Sequence, residues 1–390
     1  MSGTRFALIG GGGTAGHLQP ALAIAEALVA AGHDRGSIEF VGSARGQDRV
    51  TLEGRGFPFT LLPGRGIVRS LRPRDIVSNL RSLFELVVAA GRGIAVVRRT
   101  RPRVVVSVGG YASLPASLAA VVLGVPLVLV NVDAVPGAAN RLFGRFARAS
   151  AVGWEGNPLP RAVVTGTPVR PQIADVARGD MDRRSARRLL GLPEDRPTVV
   201  VFGGSLGARR INRATAELVE RWKGRCDRTI YHIVGRRDWE QYAPRMGGAT
   251  DPALSDEELY VKRVPYEEHM ERVYAGADVV VCRAGAMTVA ELAAAGVPSV
   301  LVPLPGAPGD HQTANARVLE RVGAAVIVAD GDCDGRTLDA TVDGLLTHPA
   351  ALGAMGRAAA SQGHPAAAAA GARVVEANAR PSSREASDPA

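Results

Sequence analysis

Short runs of β-branched and other apolar residues alternate along this chain with longer stretches whose apolar residues recur at helical spacing. A continuous apolar run of about four to eight residues is typical of a buried strand, and an apolar stripe with a period near 3.6 is typical of a helix. This alternation predicts the α/β class, with parallel sheets covered by helices on both faces. The predicted strands cover residues 6–9, 38–41, 104–108, 127–130 and 163–165 in the first half, and 198–202, 230–234, 260–264, 279–282, 299–302 and 325–328 in the second.

A segment with little periodicity separates the two halves. Residues 154–171 contain Pro158, Pro160 and Pro168. Each half begins with a strand that runs into glycines, so we expect two doubly wound, Rossmann-like domains facing across a cleft, with ligands at the carboxyl ends of the strands. The predicted organisation is an N-terminal domain over 1–166, a C-terminal domain over 167–363, a terminal helix over 364–380 and a disordered tail over 381–390.

The formal charge of +9 is concentrated in the first part of the chain. Residues 1–170 contain 20 Arg, no Lys and 9 acidic residues, whereas the rest is close to neutral. A basic half indicates an anionic partner, such as a membrane surface, a nucleic acid or a phosphorylated substrate. Compositional bias is the alternative, since 45 of the 47 basic residues are Arg. Three cysteines without metal-ligand spacing favour a reduced cytosolic protein over a disulfide framework.

Residues 104–132 carry no charge and form a stretch long enough to cross a bilayer. Glycines and prolines nevertheless interrupt it where a strand–helix–strand unit would turn, namely at Gly109, Gly110, Pro115, Gly124 and Pro126. We therefore predict a buried strand, a helix over 114–123 and a second strand rather than a membrane span. The first nine residues hold one Arg and a short apolar run, which is not the pattern of a signal peptide.

Two glycine loops occur where a predicted strand meets a predicted helix. The first covers residues 10–13 and leads to His17, and the second covers 203–207 and contains Ser205. Glycines allow close backbone approach and a helix amino end offers N–H groups, so the two loops predict an anionic ligand between the domains. No acid ends the second strand and no GK[ST] follows, which argues against a nicotinamide dinucleotide and a P-loop. His17 is either a general base or a helix-start residue, and Ser205 either a phosphate ligand or an N-cap.

Two later segments place polar side chains after predicted strands. Thr288 and Glu291 have capping-box spacing, so Glu291 either closes a helix start or accepts hydrogen bonds from two ribose hydroxyls. Gln312 follows a proline-rich loop and suits hydrogen bonding to sugar hydroxyls, with a solvated loop as the alternative.

Together these segments resemble the MurG glycosyltransferases of bacterial cell-wall synthesis, which have the two-domain GT-B fold. The resemblance spans about residues 5–360 and rests on ordered motifs over 12–20, 109–115, 166–170, 203–212, 270–291 and 303–315. It implies an inverting transfer of N-acetylglucosamine from UDP-N-acetylglucosamine to lipid I, the muramyl-pentapeptide on a polyprenyl diphosphate, to give lipid II. It also implies a peripheral enzyme on the cytoplasmic face of the cell membrane, without a cofactor, an obligatory metal or a nucleic-acid partner.

The resemblance assigns site residues by matching position. On the donor side, Arg170 and Ser205 would contact the diphosphate, a backbone group at Glu267 would read uracil, and Gln312 would touch the sugar hydroxyls. The nucleotide would be bound by Ala286, Met287, Thr288, Val289, Ala290 and Glu291. Glu291 would contact its ribose. The acceptor side would consist of Thr14, Ala15, Gly16, His17 and Tyr111.

One departure from the family's pattern follows the fourth predicted strand. The family typically has His-Glu-Gln-Asn, or close to it, where this chain has Val130-Asn131-Val132-Asp133. We predict that His17 or Asp133 is the catalytic base that takes the acceptor hydroxyl proton. Two alternatives stay open: a related GT-B transferase that uses a UDP-sugar with a different lipid or natural-product acceptor, and a sugar-nucleotide-binding protein without turnover.

Two further patterns concern metal and membrane. Asp-x-Asp triplets occur at 180–182 and within 330–334, and we interpret them as solvated acids away from the glycine loops rather than as metal ligands. Residues 66–103 hold nine Arg and two acidic residues, with apolar residues at helical spacing from Ile76 to Val87. Such a basic amphipathic helix suits an anionic membrane surface, and the alternative is that its apolar stripe faces the core.

Overall fold

The computed structural model describes residues 5–13, 15–44, 48–63, 73–176, 178–179, 181–204, 207–242 and 258–381, with the backbone alone at 15 and 73–84. The chain divides into two compact units. The first contains residues 1–169 together with 366–390, and the second contains residues 170–365. Thr14, Ser205 and nearly all of the predicted disordered tail lie outside the described residues.

A seven-stranded parallel sheet forms the centre of the first unit, in the order β3-β2-β1-β4-β5-β6-β7. Its strands are β1 Ala7–Gly10, β2 Ile38–Ser43, β3 Phe59–Leu62, β4 Val104–Ser107, β5 Leu127–Asn131, β6 Ala149–Val152 and β7 Ala162–Val164. Its helices are α1 Ala15–Ala30, α2 Asp48–Leu52, α3 Pro73–Thr100, α4 Leu114–Val122, α5 Ala138–Phe143 and, at the end of the chain, α15 Ala367–Asn378. Every residue of β1, β4 and β5 is buried, which explains their continuous apolar runs.

The second unit repeats this plan with six parallel strands, in the order β10-β9-β8-β11-β12-β13. Its strands are β8 Thr198–Phe202, β9 Thr229–Ile233, β10 Tyr260–Val264, β11 Val279–Cys282, β12 Ser299–Leu301 and β13 Ala325–Ile327. Its helices are α6 Pro171–Val176, α7 Arg183–Leu189, α8 Arg209–Arg221, α9 Trp239–Tyr242, α10 Met270–Gly276, α11 Ala286–Ala295, α12 His311–Arg321, α13 Gly335–Leu346 and α14 Pro349–Ser361.

The strand order determines where each unit can bind a ligand. In both sheets the first strand lies beside the fourth, so the direction of winding reverses between β1 and β4 and between β8 and β11. A crevice opens at the carboxyl ends of the strands at such a switch point. The α/β class and two Rossmann-like units are therefore confirmed, and the glycine loops after β1 and β8 lie at the two switch points.

The sequence pattern located eleven of the strands and missed β3 and β6. The residues of β6 are Ala149, Ser150, Ala151 and Val152, most of which have low strand propensity. They form a strand because β5 and β7 flank them on both sides. β3 is an edge strand whose first three residues are only half-buried, so it lacks the apolar run of a central strand.

The uncharged stretch 104–132 forms β4, α4 and β5, which confirms the strand–helix–strand prediction. Within the described parts of the chain, no helix is long and apolar enough to cross a membrane.

The last helix packs on the first unit. A Cβ added at Gly371 of α15 would lie 3.3 Å from Cδ1 of Ile24 in α1, so the two helices approach closely. Glu376 Oε1 lies 2.9 Å from His33 Nε2, and the Arg380 N–H donates to the carbonyl of Arg103 at 3.0 Å. The helix was expected over 364–380, but nothing in its pattern indicated which unit it covers.

Candidate functional site

Two glycine turns meet at the switch point of the first unit. One follows β1 and contains Gly12 and Gly13, and the other follows β4 and contains Gly109 and Gly110; all four have a positive φ, between 74° and 144°. Glycine is the residue that adopts this conformation without strain. A Cβ at Gly110 would lie 3.2 Å from Cε1 and Nδ1 of His17, so the bare backbone makes room for the half-buried imidazole.

A buried carboxylate joins the first glycine turn to the neighbouring strand. Asp48, which opens α2, is 1% exposed. The Gly13 N–H donates to both of its carboxylate oxygens at 2.9 Å, and the Ser43 N–H donates to Oδ2 at 2.8 Å. Sequence reasoning missed Asp48, because a single acid beyond a strand has no distinctive spacing.

Tyr111 covers the same turn. A Cβ at Gly13 would lie 2.6 Å from Cε1 of the Tyr111 ring. The Tyr111 hydroxyl donates to Oγ of Ser43 at 2.9 Å. The structure thus brings Tyr111 and His17, two of the acceptor-side residues, to the two glycine turns of one switch point. Ala15 and Gly16 open α1 beside them.

Three asparagines hold the segment that departs from the family's pattern. Asn131 ends β5, and its Nδ2 donates to the carbonyl of Asp133 at 2.6 Å. Asn140 Nδ2 donates to the carbonyl of Val130 and to Oδ1 of Asn131, both at 3.1 Å. Asn157 Nδ2 donates to the carbonyl of Asp133 at 3.4 Å. The half-buried Asp133 therefore has a fixed backbone at the carboxyl end of the sheet.

A cavity of about 680 Å³ opens at the switch point of the second unit. The glycine loop after β8, the start of α11 and the loop after β12 form its walls. Thr288 and Gln312, two of the predicted donor-side residues, line it, and Gln312 Oε1 accepts a hydrogen bond from the Leu304 N–H at 3.0 Å. The lining also includes four arginines, Arg209, Arg210, Arg237 and Arg283.

The carboxylates of Asp238 and Asp330 contact these arginines. Asp238 is 1% exposed and bonds Arg237 through Nε at 2.8 Å and Nη2 at 2.9 Å, while Arg209 Nε lies 3.3 Å from its Oδ1. The hydrogen bond from Arg237 lowers the pKa of Asp238, so this carboxylate stays ionised. Four guanidinium groups against two carboxylates leave an excess of positive charge, which suits a phosphate or diphosphate.

Asp182, Asp332 and Asp334 are exposed, as expected of solvated acids, whereas Asp330 corrects the expectation that both triplets lie away from the glycine loops. Asp330 lines the cavity of the glycine loop, with Oδ1 2.7 Å from Arg283 Nη1 and Oδ2 3.8 Å from Arg210 Nε. Asp182 and Asp334 are N-caps of α7 and α13. In the described portion of the chain, no group of three or more His, Cys, Asp and Glu residues is placed to hold a metal ion.

Glu291 does not cap a helix, so that interpretation was wrong. Gly285 is the N-cap of α11, and Thr288 lies within its first turn. Glu291 Oε2 accepts a hydrogen bond from the Tyr274 hydroxyl at 2.9 Å, and Oε1 lies 3.7 Å from Arg170 Nη2. Burial raises the pKa of Glu291, and the nearby Arg170 opposes that effect.

The other predicted donor-side residues lie around this helix. Arg170 Nη1 donates to the carbonyl of Glu268 at 3.5 Å. Among the described residues, Arg170 does not line the cavity of about 680 Å³ that contains the four arginines. Glu267 accepts hydrogen bonds from the Tyr231 hydroxyl at 2.6 Å and the His269 N–H at 2.8 Å. The remaining residues of the predicted nucleotide segment, Ala286, Met287, Val289 and Ala290, form the first turns of α11.

Two family models match the chain, one for each unit. The glycosyltransferase family 28 N-terminal domain matches residues 7–152, and the family 28 C-terminal domain matches residues 198–370.

Curated relatives match almost the whole length. A protein of Desulforudis audaxviator is 37% identical over 367 residues, which cover 92% of this chain and 94% of the relative. A protein of a Nocardioides species is 39% identical over 356 residues, which cover 91% and 93%. Both carry the name UDP-N-acetylglucosamine–N-acetylmuramyl-(pentapeptide) pyrophosphoryl-undecaprenol N-acetylglucosamine transferase.

Solved structures give the same picture. The crystal structure of MurG from Acinetobacter baumannii superposes with a TM-score of 0.72 at 26% identity, covering 96% of this chain and 99% of that one. The calicheamicin glycosyltransferase CalG4, at 17% identity and a TM-score of 0.63, covers 97% of this chain and 100% of its own, and shares the fold. Both halves and nearly the full length thus match one family, and the chain is a GT-B glycosyltransferase that belongs to family 28 and, within it, to the MurG transferases.

Proposed function

We propose that this protein transfers N-acetylglucosamine from UDP-N-acetylglucosamine to lipid I and thereby makes lipid II. The observation that carries the donor half of this proposal is the cavity beside the glycine loop of the second unit, with its four arginines. Breaking the glycosidic bond leaves negative charge on the UDP diphosphate, and fixed guanidinium groups stabilise such charge where it develops. The relatives' names give the same donor and acceptor.

The donor would use both groups of residues in the second unit. The diphosphate would occupy the cavity lined by the four arginines, beside the glycine loop, and the resemblance adds Ser205 as a further contact. The ribose fits Glu291, whose carboxylate can accept two hydroxyl hydrogen bonds, and the backbone near Glu267 would read uracil. Gln312 and Thr288 line the cavity, where the sugar would lie. Arg170 would act on this site through its contact with Glu291.

The acceptor would be activated in the first unit. Either His17 or Asp133 would take the proton from the attacking hydroxyl, as the anomeric carbon inverts. His17 lies at the glycine turns that would receive the acceptor diphosphate, together with Gly16 and Tyr111, and the resemblance adds Thr14 to this group. Asp133 belongs to the segment that differs from the family's pattern, so a different acceptor is the second candidate function, and Asp133 would be its determinant.

Activity and acceptor choice are tested by measuring UDP release from UDP-N-acetylglucosamine with and without defined lipid acceptors. We expect release that depends on lipid I and yields lipid II. Release with another polyprenyl-linked acceptor and none with lipid I would favour the second candidate. Tight UDP binding without release for any acceptor would refute transfer and leave a binding protein.

We also propose that the first unit binds the cytoplasmic face of the cell membrane as a peripheral protein. Five large apolar side chains on α3, α4, α5 and the turn after α5 are exposed: Val87 (63%), Val122 (58%), Leu142 (54%), Phe146 (46%) and Leu118 (37%). Exposed Arg141 and Arg145 accompany them, and Arg145 lies 4.7 Å from the Phe146 ring centre. Exposed apolar residues beside arginines suit the interface of an anionic bilayer.

Vesicle sedimentation tests this surface. We expect binding to anionic vesicles that falls at high salt and that Arg141→Glu with Arg145→Glu largely removes. Arg317→Glu with Arg336→Glu in the second unit changes the net charge equally and should leave binding intact. Equal losses in the two double variants would show a general charge effect and refute the assignment. In the basic segment 66–103, Arg72 lies outside the described residues and the backbone alone is described at Arg74 and Arg81, so the test uses Arg141 and Arg145.

A further inference from the structure

We propose that Asp48 is a positioning residue for the acceptor side of the site. The inference rests on the proposed function of the first unit and adds a residue that neither the motifs nor the resemblance assigned. Asp48 is nearly inaccessible, so it acts through the backbone that it holds rather than through a substrate.

The carboxylate closes a circuit of contacts around the first glycine turn. It accepts hydrogen bonds from the amides of Gly13 and Ser43, the Ser43 hydroxyl accepts one from Tyr111, and the Tyr111 ring lies over Gly13. The circuit also needs two glycines. A Cβ at Gly12 would lie 2.0 Å from Asp48 Oδ2, and a Cβ at Gly42 would lie 3.0 Å from it.

The peptide between Gly12 and Gly13 links this circuit to the imidazole. Its N–H points at Asp48, so its carbonyl points the opposite way, because a trans peptide is planar. The Gly12 carbonyl oxygen lies 3.4 Å from the position of a Cβ on Gly110, and two ring atoms of His17 lie 3.2 Å from that same position. By holding the Gly13 N–H, Asp48 therefore keeps the Gly12 carbonyl, rather than this N–H, directed towards the His17 ring.

A glycine pair has little intrinsic preference that would hold this peptide in place. Gly12 and Gly13 have φ values of 144° and 80°, and glycine exchanges between such conformations and others at low cost. Without the Asp48 carboxylate the peptide is free to turn, which would shift the start of α1 and the wall beside His17. A displacement of about 1 Å around reacting groups can lower a rate by roughly 100-fold.

The test compares Asp48→Asn with Glu39→Gln. Glu39 is a matched control, because it is another buried carboxylate of the same region, at the start of β2, and it bonds Arg5, Arg99 and Thr60 rather than the glycine turn. We expect Asp48→Asn to lower kcat by about 100-fold while the KM for UDP-N-acetylglucosamine and the affinity for UDP stay unchanged. Glu39→Gln should lower the melting temperature and leave kcat near the wild-type value below that temperature. Asp48→Glu, which keeps both oxygens and the charge, should recover part of the lost kcat.

Amide hydrogen exchange gives a readout that does not depend on activity. Asp48→Asn should accelerate exchange at Gly13 and Ser43, and Glu39→Gln should not. A wild-type kcat in Asp48→Asn, an equal loss in Glu39→Gln, or no recovery in Asp48→Glu would overturn the positioning role. If the wild-type protein transfers no sugar, the proposed function fails. Faster exchange at Gly13 in Asp48→Asn would still support the role of Asp48 in holding the glycine turn. If Asp48→Asn does not fold, Ser43→Ala is the substitute, because it removes the hydroxyl that accepts the Tyr111 hydrogen bond and leaves Asp48 in place. An unchanged kcat in Ser43→Ala would also refute the proposal.

Discussion

Replacing Glu291 with glutamine should change ligand affinity and protein stability in opposite directions. Glu291 is a residue of α11. The Tyr274 hydroxyl donates to its Oε2, and Arg170 Nη2 lies 3.7 Å from its Oε1. If two ribose hydroxyls also bond to it, Glu291→Gln removes their charged acceptor. Hydrogen bonds to charged groups contribute about 1.5–3 kcal/mol each, and glutamine still offers one neutral acceptor oxygen, so the loss for UDP should be smaller than the sum of two such bonds, about 2–4 kcal/mol. That corresponds to roughly a 30- to 1,000-fold rise in Kd.

The stability of the unliganded protein should not fall with the affinity. Burial raises the pKa of Glu291, so the folded state holds its proton to a higher pH than the unfolded chain does. The ionised carboxylate therefore costs stability as the pH rises through the folded pKa, and glutamine removes that cost. We expect the stability of Glu291→Gln relative to the wild type to rise between pH 5 and pH 8.

Two measurements on one sample decide this prediction: calorimetric titration with UDP, and urea unfolding at pH 5 and pH 8. Tyr274→Phe is the control, because it removes the neighbouring hydroxyl and keeps the charged acceptor, so it should weaken UDP binding much less. Unchanged UDP affinity in folded Glu291→Gln would remove Glu291 from the ribose site. A loss of stability at pH 8 would show that the contact with Arg170 outweighs the cost of burial.

Three further outcomes follow from the structure. Asp238→Asn should loosen the arginines of the cavity and weaken UDP binding, by calorimetry, more than Arg237→Gln does, because Asp238 also contacts Arg209; equal losses would refute its role as their common anchor. His17→Ala and Asp133→Ala should each lower turnover with lipid I while UDP affinity stays constant, by roughly 10²–10⁴-fold for whichever is the base, and wild-type rates in both would place the base elsewhere. Burial lowers the pKa of His232 to about 3, so below the unfolded pKa near 6.5 only the unfolded chain gains this proton. The wild type should therefore lose about 2 kcal/mol of stability between pH 8 and pH 5 that His232→Gln does not lose, and an equal loss in both, measured by urea unfolding, would contradict the assignment.

The sequence was sufficient for the fold because its signals were local. Every strand of the central part of each sheet is buried on both faces, so its apolar run stands out, and glycines mark the turns at the switch points. β6 escaped prediction because its alanines and serine become a strand only through their neighbours. The local sequence pattern therefore failed for a strand that forms through pairing with its neighbours rather than through the strand propensity of its own residues.

The candidate site was predictable in its motif residues and not in the side chains that support them. Thr288 and Gln312 were found because they follow glycine or proline loops, and the structure places them on one cavity. Asp48, Asp238 and Asp330 were missed or misinterpreted. Their decisive partners lie far away in sequence: Gly13 is 35 positions from Asp48 and Arg209 is 29 positions from Asp238, so no spacing rule relates them. Burial converts such isolated acids into anchors, and burial is a property of the folded chain.

The return of α15 to the first unit has a consequence for the order of folding during synthesis. The second unit is one continuous stretch, residues 170–365, and can complete its core once that stretch has left the ribosome. The first unit begins earlier but lacks the helix that covers α1 near Ile24 until the end of the chain emerges. The domain synthesised first is thus the one completed last. A premature stop between residues 362 and 366 would leave the second unit nearly whole and the first unit with an uncovered helix, a species that chaperones and proteases would recognise.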